Sequence, residues 1–192
     1  MLTSISKEEL DSLPVATFKG EIILVDSDEK VVEAVRLLKE NRFLGFDTES
    51  KPEFRRGKQN KISLIQLSAP DFCCLFQLGS IKNLQPVLDL LSDENILKIG
   101  LAVKDDFHSM RQFSFHPRGF VDIQDVAKKV GIEDMSLQKI YAIVFGEKIQ
   151  KKQRLSDWSA KILSPAQQHY AALDAWSCLR IYFELKKLAE KC

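Results

Sequence analysis

Three strand-length apolar runs, at residues 43–47, 62–67 and 73–78, limit the fold more than any other feature of this chain. Each is bounded by polar or Pro-containing turn material, so the three read as neighbouring strands of a meander. A further short strand is predicted at Ile22-Ile23-Leu24-Val25. After it, Asp26 and Glu29 have capping-box spacing, and Val31, Val35 and Leu38 recur at i, i+4 and i+7, which predicts an amphipathic helix. Beyond the meander, residues 84–91 read as a helix, 97–102 as a buried strand, 103–113 as a helix and 120–123 as another strand; the second half then turns mainly helical. Strands and helices interleaved in this way predict an α/β domain with helices on both faces of one sheet. Functional groups in such sheets gather at strand ends.

Gly and Pro are scattered, and no repeat or low-complexity tract breaks the pattern. One domain over residues 1–192 is expected, with an N-terminal extension over 1–20. No apolar run is long enough to cross a bilayer, so a membrane-spanning function is excluded from the expectation. The first ten residues are too polar and acidic for a secretory signal or transit peptide, which makes a cytoplasmic location the expected one. Cys73 and Cys74 are adjacent while Cys178 and Cys192 stand alone, a spacing that suits reduced thiols rather than a zinc site. With a net charge of only +1, any nucleic-acid binding must come from local basic clusters.

The chemistry-bearing residues begin on the first meander strand. Side chains alternate faces along a strand, so Asp47 and Glu49 share one side while Leu44 and Phe46 point into the core on the other. Two convergent carboxylates repel unless a cation offsets them, and hard divalent ions such as Mg²⁺ and Mn²⁺ prefer carboxylate oxygen. The bland alternative is an ordinary turn after a strand. Ser164-Pro165-Ala166-Gln167 carries three helix-start signals: an N-cap Ser, Pro at the first helical position and Gln at the capping-box position. Tyr170 and Asp174 then lie four apart on one helix face, where they can address one ligand. Alone, that pair would be a half-buried Tyr beside a surface Asp. Asp105 and Asp106 open the helix after Lys98-Ile99-Gly100, a place where acids ordinarily favour the helix dipole.

Taken in order, Phe46-Asp47-Thr48-Glu49, Lys98-Ile99-Gly100 with Asp106, and Tyr170-Ala171-Ala172-Leu173-Asp174-Ala175 resemble the three motifs of the DEDDy 3′-to-5′ exonucleases, the superfamily of RNase D and the Werner-syndrome exonuclease domain. The resemblance covers nearly the whole chain. Arg56-Gly57-Lys58, leading to residues 61–67, looks closer to the Werner-type branch, and Ser156-Asp157-Trp158 is also family-like. The resemblance implies a ribonuclease H-like fold with a central mixed sheet flanked by helices. Asp105 competes with Asp106 in the second motif, and the family's spacing selects Asp106. His169 stands five before Asp174, the spacing of a sister group that uses histidine; within the capped helix, Tyr170 shares Asp174's face and His169 does not.

By the same resemblance, Asp47, Glu49, Asp106 and Asp174 hold two divalent ions, Mg²⁺ or Mn²⁺, and Tyr170 orients the attacking water, since an ordinary tyrosine is a poor base at neutral pH. Nucleoside 5′-monophosphates are the expected products, and single-stranded or 3′-recessed nucleic acid, DNA or RNA, the expected substrate. Two basic stretches flank the motifs: Lys51, Arg55, Arg56, Lys58 and Lys61, then Lys148, Lys151, Lys152 and Arg154. Of these, Arg55, Arg56, Lys58, Lys151 and Lys152 are singled out as phosphate-following residues. Phe54 and Trp158 could stack on bases, with core packing the better expectation for Trp158. The rival from another class is a catalytically inactive nucleic-acid-binding module that keeps the fold, because a fold alone guarantees no chemistry.

Overall fold

The computed structural model describes residues 3–51 and 61–190. A short helix, α1 (Lys7–Ser12), is followed by β1 (Glu21–Val25), α2 (Asp28–Leu38), β2 (Phe43–Ser50), β3 (Ile62–Ser68), β4 (Phe72–Gln77), α3 (Gln85–Ser92), β5 (Leu97–Gly100), α4 (Val103–Ser109), β6 (Phe120–Asp122), α5 (Ile123–Lys129), α6 (Leu137–Phe145) and the long α7 (Pro165–Ala189). The described strands make one six-stranded sheet in the order β1-β4-β3-β2-β5-β6. The meander is present, since β2, β3 and β4 pair antiparallel in succession. The outer strands are parallel to their neighbours, so the sheet is mixed.

Alternation along the strands splits the interior into two cores. One packs α2, α3 and α4 against Leu44, Phe46, Ile65, Leu67 and Phe76. The other packs α5, α6 and α7 against Leu64, Cys73, Leu75 and Ile99. Gly45 lets α7 lie directly on β2, because a Cβ there would overlap the Ala175 carbonyl. That close approach positions the site: Asp47 and Glu49 follow on the same face, beneath the same helix.

Local signals account for some element ends and not for others. Ser164 and Gln167 form the reciprocal capping box expected of α7. At α2 the N-cap is Ser27, which accepts from the Lys30 backbone N–H, and not Asp26; the Asp26 carboxylate pairs instead with the Lys30 ammonium at 2.8 Å. The strand read over 97–102 stops at Gly100, and the helix read over 103–113 ends at Ser109 before a 3₁₀ turn at Met110–Gln112. The N-terminal segment packs onto the body: Ile5 and Leu10 meet Ala142 of α6, Phe18 joins the α7 core, and the Lys148 ammonium donates to the Asp11 carbonyl. Cys73, Cys74 and Cys178 are free thiols in the interior; Cys192 lies outside the described residues.

Candidate active site

At the C-terminal end of β2, one sheet face and one helix bring three acids together. Asp47, Glu49 and Asp174 each offer a carboxylate oxygen, and these oxygens lie within 4.8 Å of one another. A cleft of about 310 Å³ opens onto them, lined also by Thr48, Leu101, Gln138, Lys151, Arg154, Tyr170 and Cys178. Asp106 approaches from α4 on the other side of β2. There the Thr48 hydroxyl donates to one of its carboxylate oxygens, while Asp105 next to it is exposed. The structure thus brings Asp106, and not Asp105, beside the first motif.

The electrostatics of this group are unusual for acids. Burial, and then the charge of Asp174, holds the Asp47 carboxyl well above the usual carboxylate range. Burial and the neighbouring Asp47 and Asp174 push Glu49 up to about 9. Asp106 is raised by burial and by Asp47, and Asp174 by burial, partly offset by the Tyr170 hydroxyl and the Lys151 charge. Among the described residues, none of the four is in an ion pair with Lys or Arg. One oxygen of Asp174 is buried with no hydrogen-bond partner. Oxygen ligands, excess negative charge and an orphaned acceptor are the properties a hard divalent cation satisfies, so these residues fit one.

Tyr170 projects from α7 one turn before Asp174, toward whose carboxylate its hydroxyl is directed, and its ring lies 6.0 Å from that of the buried Trp158. Burial and the nearby acids raise its hydroxyl above the ordinary tyrosine value. His169 points elsewhere: its Nε2 sits 3.0 Å from the Phe18 carbonyl oxygen. The Ser156-Asp157-Trp158 segment braces the start of α7, where the Gln167 side-chain amide donates to the Ser156 hydroxyl at 3.1 Å and the Asp157 carbonyl at 3.2 Å. Trp158 is fully buried, in keeping with a packing role.

The basic residues divide. Lys151 lines the cleft, whereas Lys152 is exposed and outside its lining. Phe54, Arg55, Arg56 and Lys58 fall outside the described residues. Arg154, present in the second basic stretch but not singled out, lines the cleft and favours the charged form of Glu49. Thr48 carries no local signal of its role, because its partner lies 58 residues away.

Residues 22–190 match the family model described as 3'-5' exonuclease, and the chain belongs to that family. Its likeness extends to the mouse (Mus musculus) bifunctional 3'-5' exonuclease/ATP-dependent helicase WRN, 31% identical over 191 residues that cover 94% of this chain and 14% of that protein. Ribonuclease D of Gluconacetobacter diazotrophicus is 30% identical over 172 residues, covering 88% of this chain and 43% of the relative. The chain therefore spans less than half the length of either. Among solved structures, the Aedes aegypti Nibbler EXO domain superposes with a TM-score of 0.82 at 23% identity, over 92% of this chain and 94% of that one. Escherichia coli RNase D gives 0.80 at 24% identity, over 89% and 46%. With these neighbours, the mixed sheet and its flanking helices are a ribonuclease H-like α/β fold. No helix among the described residues is long and apolar enough to cross a membrane.

Proposed function

We propose that this chain is a metal-dependent 3′-to-5′ exonuclease of the DEDDy type, releasing nucleoside 5′-monophosphates from single-stranded or 3′-recessed nucleic acid. The observation that carries the reading is the trio Asp47, Glu49 and Asp174, gathered at one cleft without an ion pair to Lys or Arg among the described residues, with Tyr170 on the helix face of Asp174. Asp47, Glu49, Asp174 and, from α4, Asp106 are the residues that would hold two divalent cations, Mg²⁺ or Mn²⁺. When bound, such cations supply acidification of water and offset charge at phosphorus and at the leaving 3′ oxygen.

The protein's own groups do the rest. Tyr170, held protonated by its surroundings, can donate or accept a hydrogen bond but cannot serve as a neutral-pH base, so it orients the attacking water. Water adds to the terminal phosphorus, the bond to the 3′ oxygen breaks, and that oxygen takes a proton. Lys151 and Arg154 flank the acids and favour a phosphate backbone in the cleft without reading sequence. The cytoplasm is the compartment we assign, and residues 1–192 act as one catalytic domain.

Digestion of 5′-labelled DNA and RNA, single-stranded and recessed, with Mg²⁺ or Mn²⁺ tests this. A ladder shortening from the 3′ end, abolished by EDTA, is expected. Binding of the same oligonucleotides without a ladder on any of them would identify the inactive binding module instead.

A further inference from the structure

We infer that Asp122, which lies outside the acidic motifs, is a positioning residue for Asp106: it holds the turn that launches α4 and so sets where Asp106 stands relative to Asp47. The inference rests on the nuclease reading above.

The turn after β5 is costly for its sequence. Ala102, the N-cap of α4, has φ 53° and ψ 40°, and among the described residues it is the non-glycine with positive φ. A Cβ disfavours that left-handed conformation, and alanine has no side-chain oxygen to cap the exposed N–H groups of the helix it opens. Asp122 supplies what Ala102 lacks. One carboxylate oxygen accepts from the Ala102 N–H at 3.1 Å, and the other from the Val103 N–H at 3.2 Å. The first also accepts from the Gln124 N–H at 3.0 Å, so one carboxylate caps α4 and its own helix α5 together. Parallel pairing of Gly100 with Asp122 brings it there.

What the turn positions is chemical. A Cβ at Gly100 would press on the Val103 side chain and the Phe46 carbonyl oxygen, so the start of α4 is packed against β2 one residue before Asp47. Asp106 stands one turn into α4 and receives the Thr48 hydroxyl. The chain of contacts runs from Asp122 through Ala102 and Val103 to Asp106, and each link is a hydrogen bond or a helix turn. A carboxylate is needed because two oxygens serve three N–H groups. In Asp122→Asn one oxygen becomes an amide NH₂, which cannot accept from Val103.

The test uses the full chain and reads Mn²⁺ binding by titration calorimetry beside turnover and thermal unfolding. Asp122→Ala is expected to weaken Mn²⁺ binding about tenfold or more, the range of outer partners of metal ligands, and Asp122→Asn, which keeps one accepting oxygen, to weaken it measurably but less. Ala102→Gly removes the conformational cost, so each double variant with Ala102→Gly should recover most of the lost affinity. A purely structural role would lower the unfolding temperature without that recovery. If Asp122→Ala does not fold, the Asp122→Asn pair carries the test. Wild-type affinity in Asp122→Asn, or weakened binding that Ala102→Gly leaves uncorrected, overturns the inference while leaving a nuclease that still makes its ladder. A wild type that binds no Mn²⁺ overturns both.

Discussion

The two ends of β2 both bury charge, and they treat it in opposite ways. At the N-terminal end, Lys98 of β5, paired with Leu44, is fully buried. Its ammonium donates to the Asp93 carbonyl at 2.5 Å and the Ile96 carbonyl at 2.7 Å, and lies 5.2 Å from the Phe120 ring centroid. Two carbonyl oxygens and a ring face compensate it. At the C-terminal end, Asp47 and Glu49 face Asp174, and among the described residues no Lys or Arg is in an ion pair with them. Buried charges are ordinarily paired and hydrogen-bonded, so the compensated end reads as structure and the uncompensated end as a binding site.

The sharpest way to break this contrast is to remove one acid. Asp47→Ala should cut metal-dependent turnover by about 10³-fold or more, the scale of losing a strong transition-state stabiliser. Full activity in a gel assay of this variant would sink the assignment. Tyr170→Phe should lose less, about ten- to a hundredfold in kcat, as partners of metal ligands do. Its Mn²⁺ affinity should stay at the wild-type value, because the acids are untouched. Equal loss of binding would make Tyr170 part of the ligand set.

The difference between the two ends was only half legible in the sequence. Alternation placed Asp47 and Glu49 opposite Leu44 and Phe46, and local caps placed the start of α7, so Tyr170 and Asp174 came out on one face. These are short-range patterns. Lys98 falls in the strand read as buried, but the partners of its ammonium were not legible, since the carbonyls that receive it belong to a loop whose path depends on packing; Gly119, with φ 65°, lets the chain pass close to the Ile96 and Asp93 carbonyls of that loop. The role of Asp122 at α4 was invisible for the same reason: its contacts with the Ala102 and Val103 N–H groups exist only once β5 and β6 pair. The choice of Asp106 through Thr48 is likewise set by a partner far along the chain.

The compensated end makes its own prediction. Lys98→Met keeps the stem's volume but leaves the Asp93 and Ile96 carbonyls without their donor. Unsatisfied buried polar groups cost about 1–3 kcal/mol each, and relief from burying an ammonium offsets part of that. Chemical denaturation should show a net loss of about 1–3 kcal/mol, with exonuclease kcat unchanged. A fall in kcat matching that of an acid variant would mean that the two ends are not separate.

The smallest effect contrasts the two ends in one titration. In cation-free protein the acids have folded-state pKa values above their unfolded ones, about 9 against 4.5 for Glu49. Between those values the folded state holds more protons, so stability is greatest at low pH and is lost as pH rises toward about 9. Lys98 has the opposite sign: burial lowers it from 10.5 to about 8, so its contribution grows as pH rises from about 8 to 10.5. In EDTA, the unfolding temperature should therefore fall by a few degrees from pH 5.5 to 8 and flatten above that, at about 2–4 °C per kcal/mol for a chain of this size. Asp47→Asn should flatten the fall, and Lys98→Met should remove the later recovery. Excess Mg²⁺ should reverse the slope below pH 8, because cation binding releases the protons that the acids otherwise keep. An unchanged slope in Asp47→Asn, with Mg²⁺ absent or present, would show that the acids are already neutralised within the protein and would erase the contrast between the two ends.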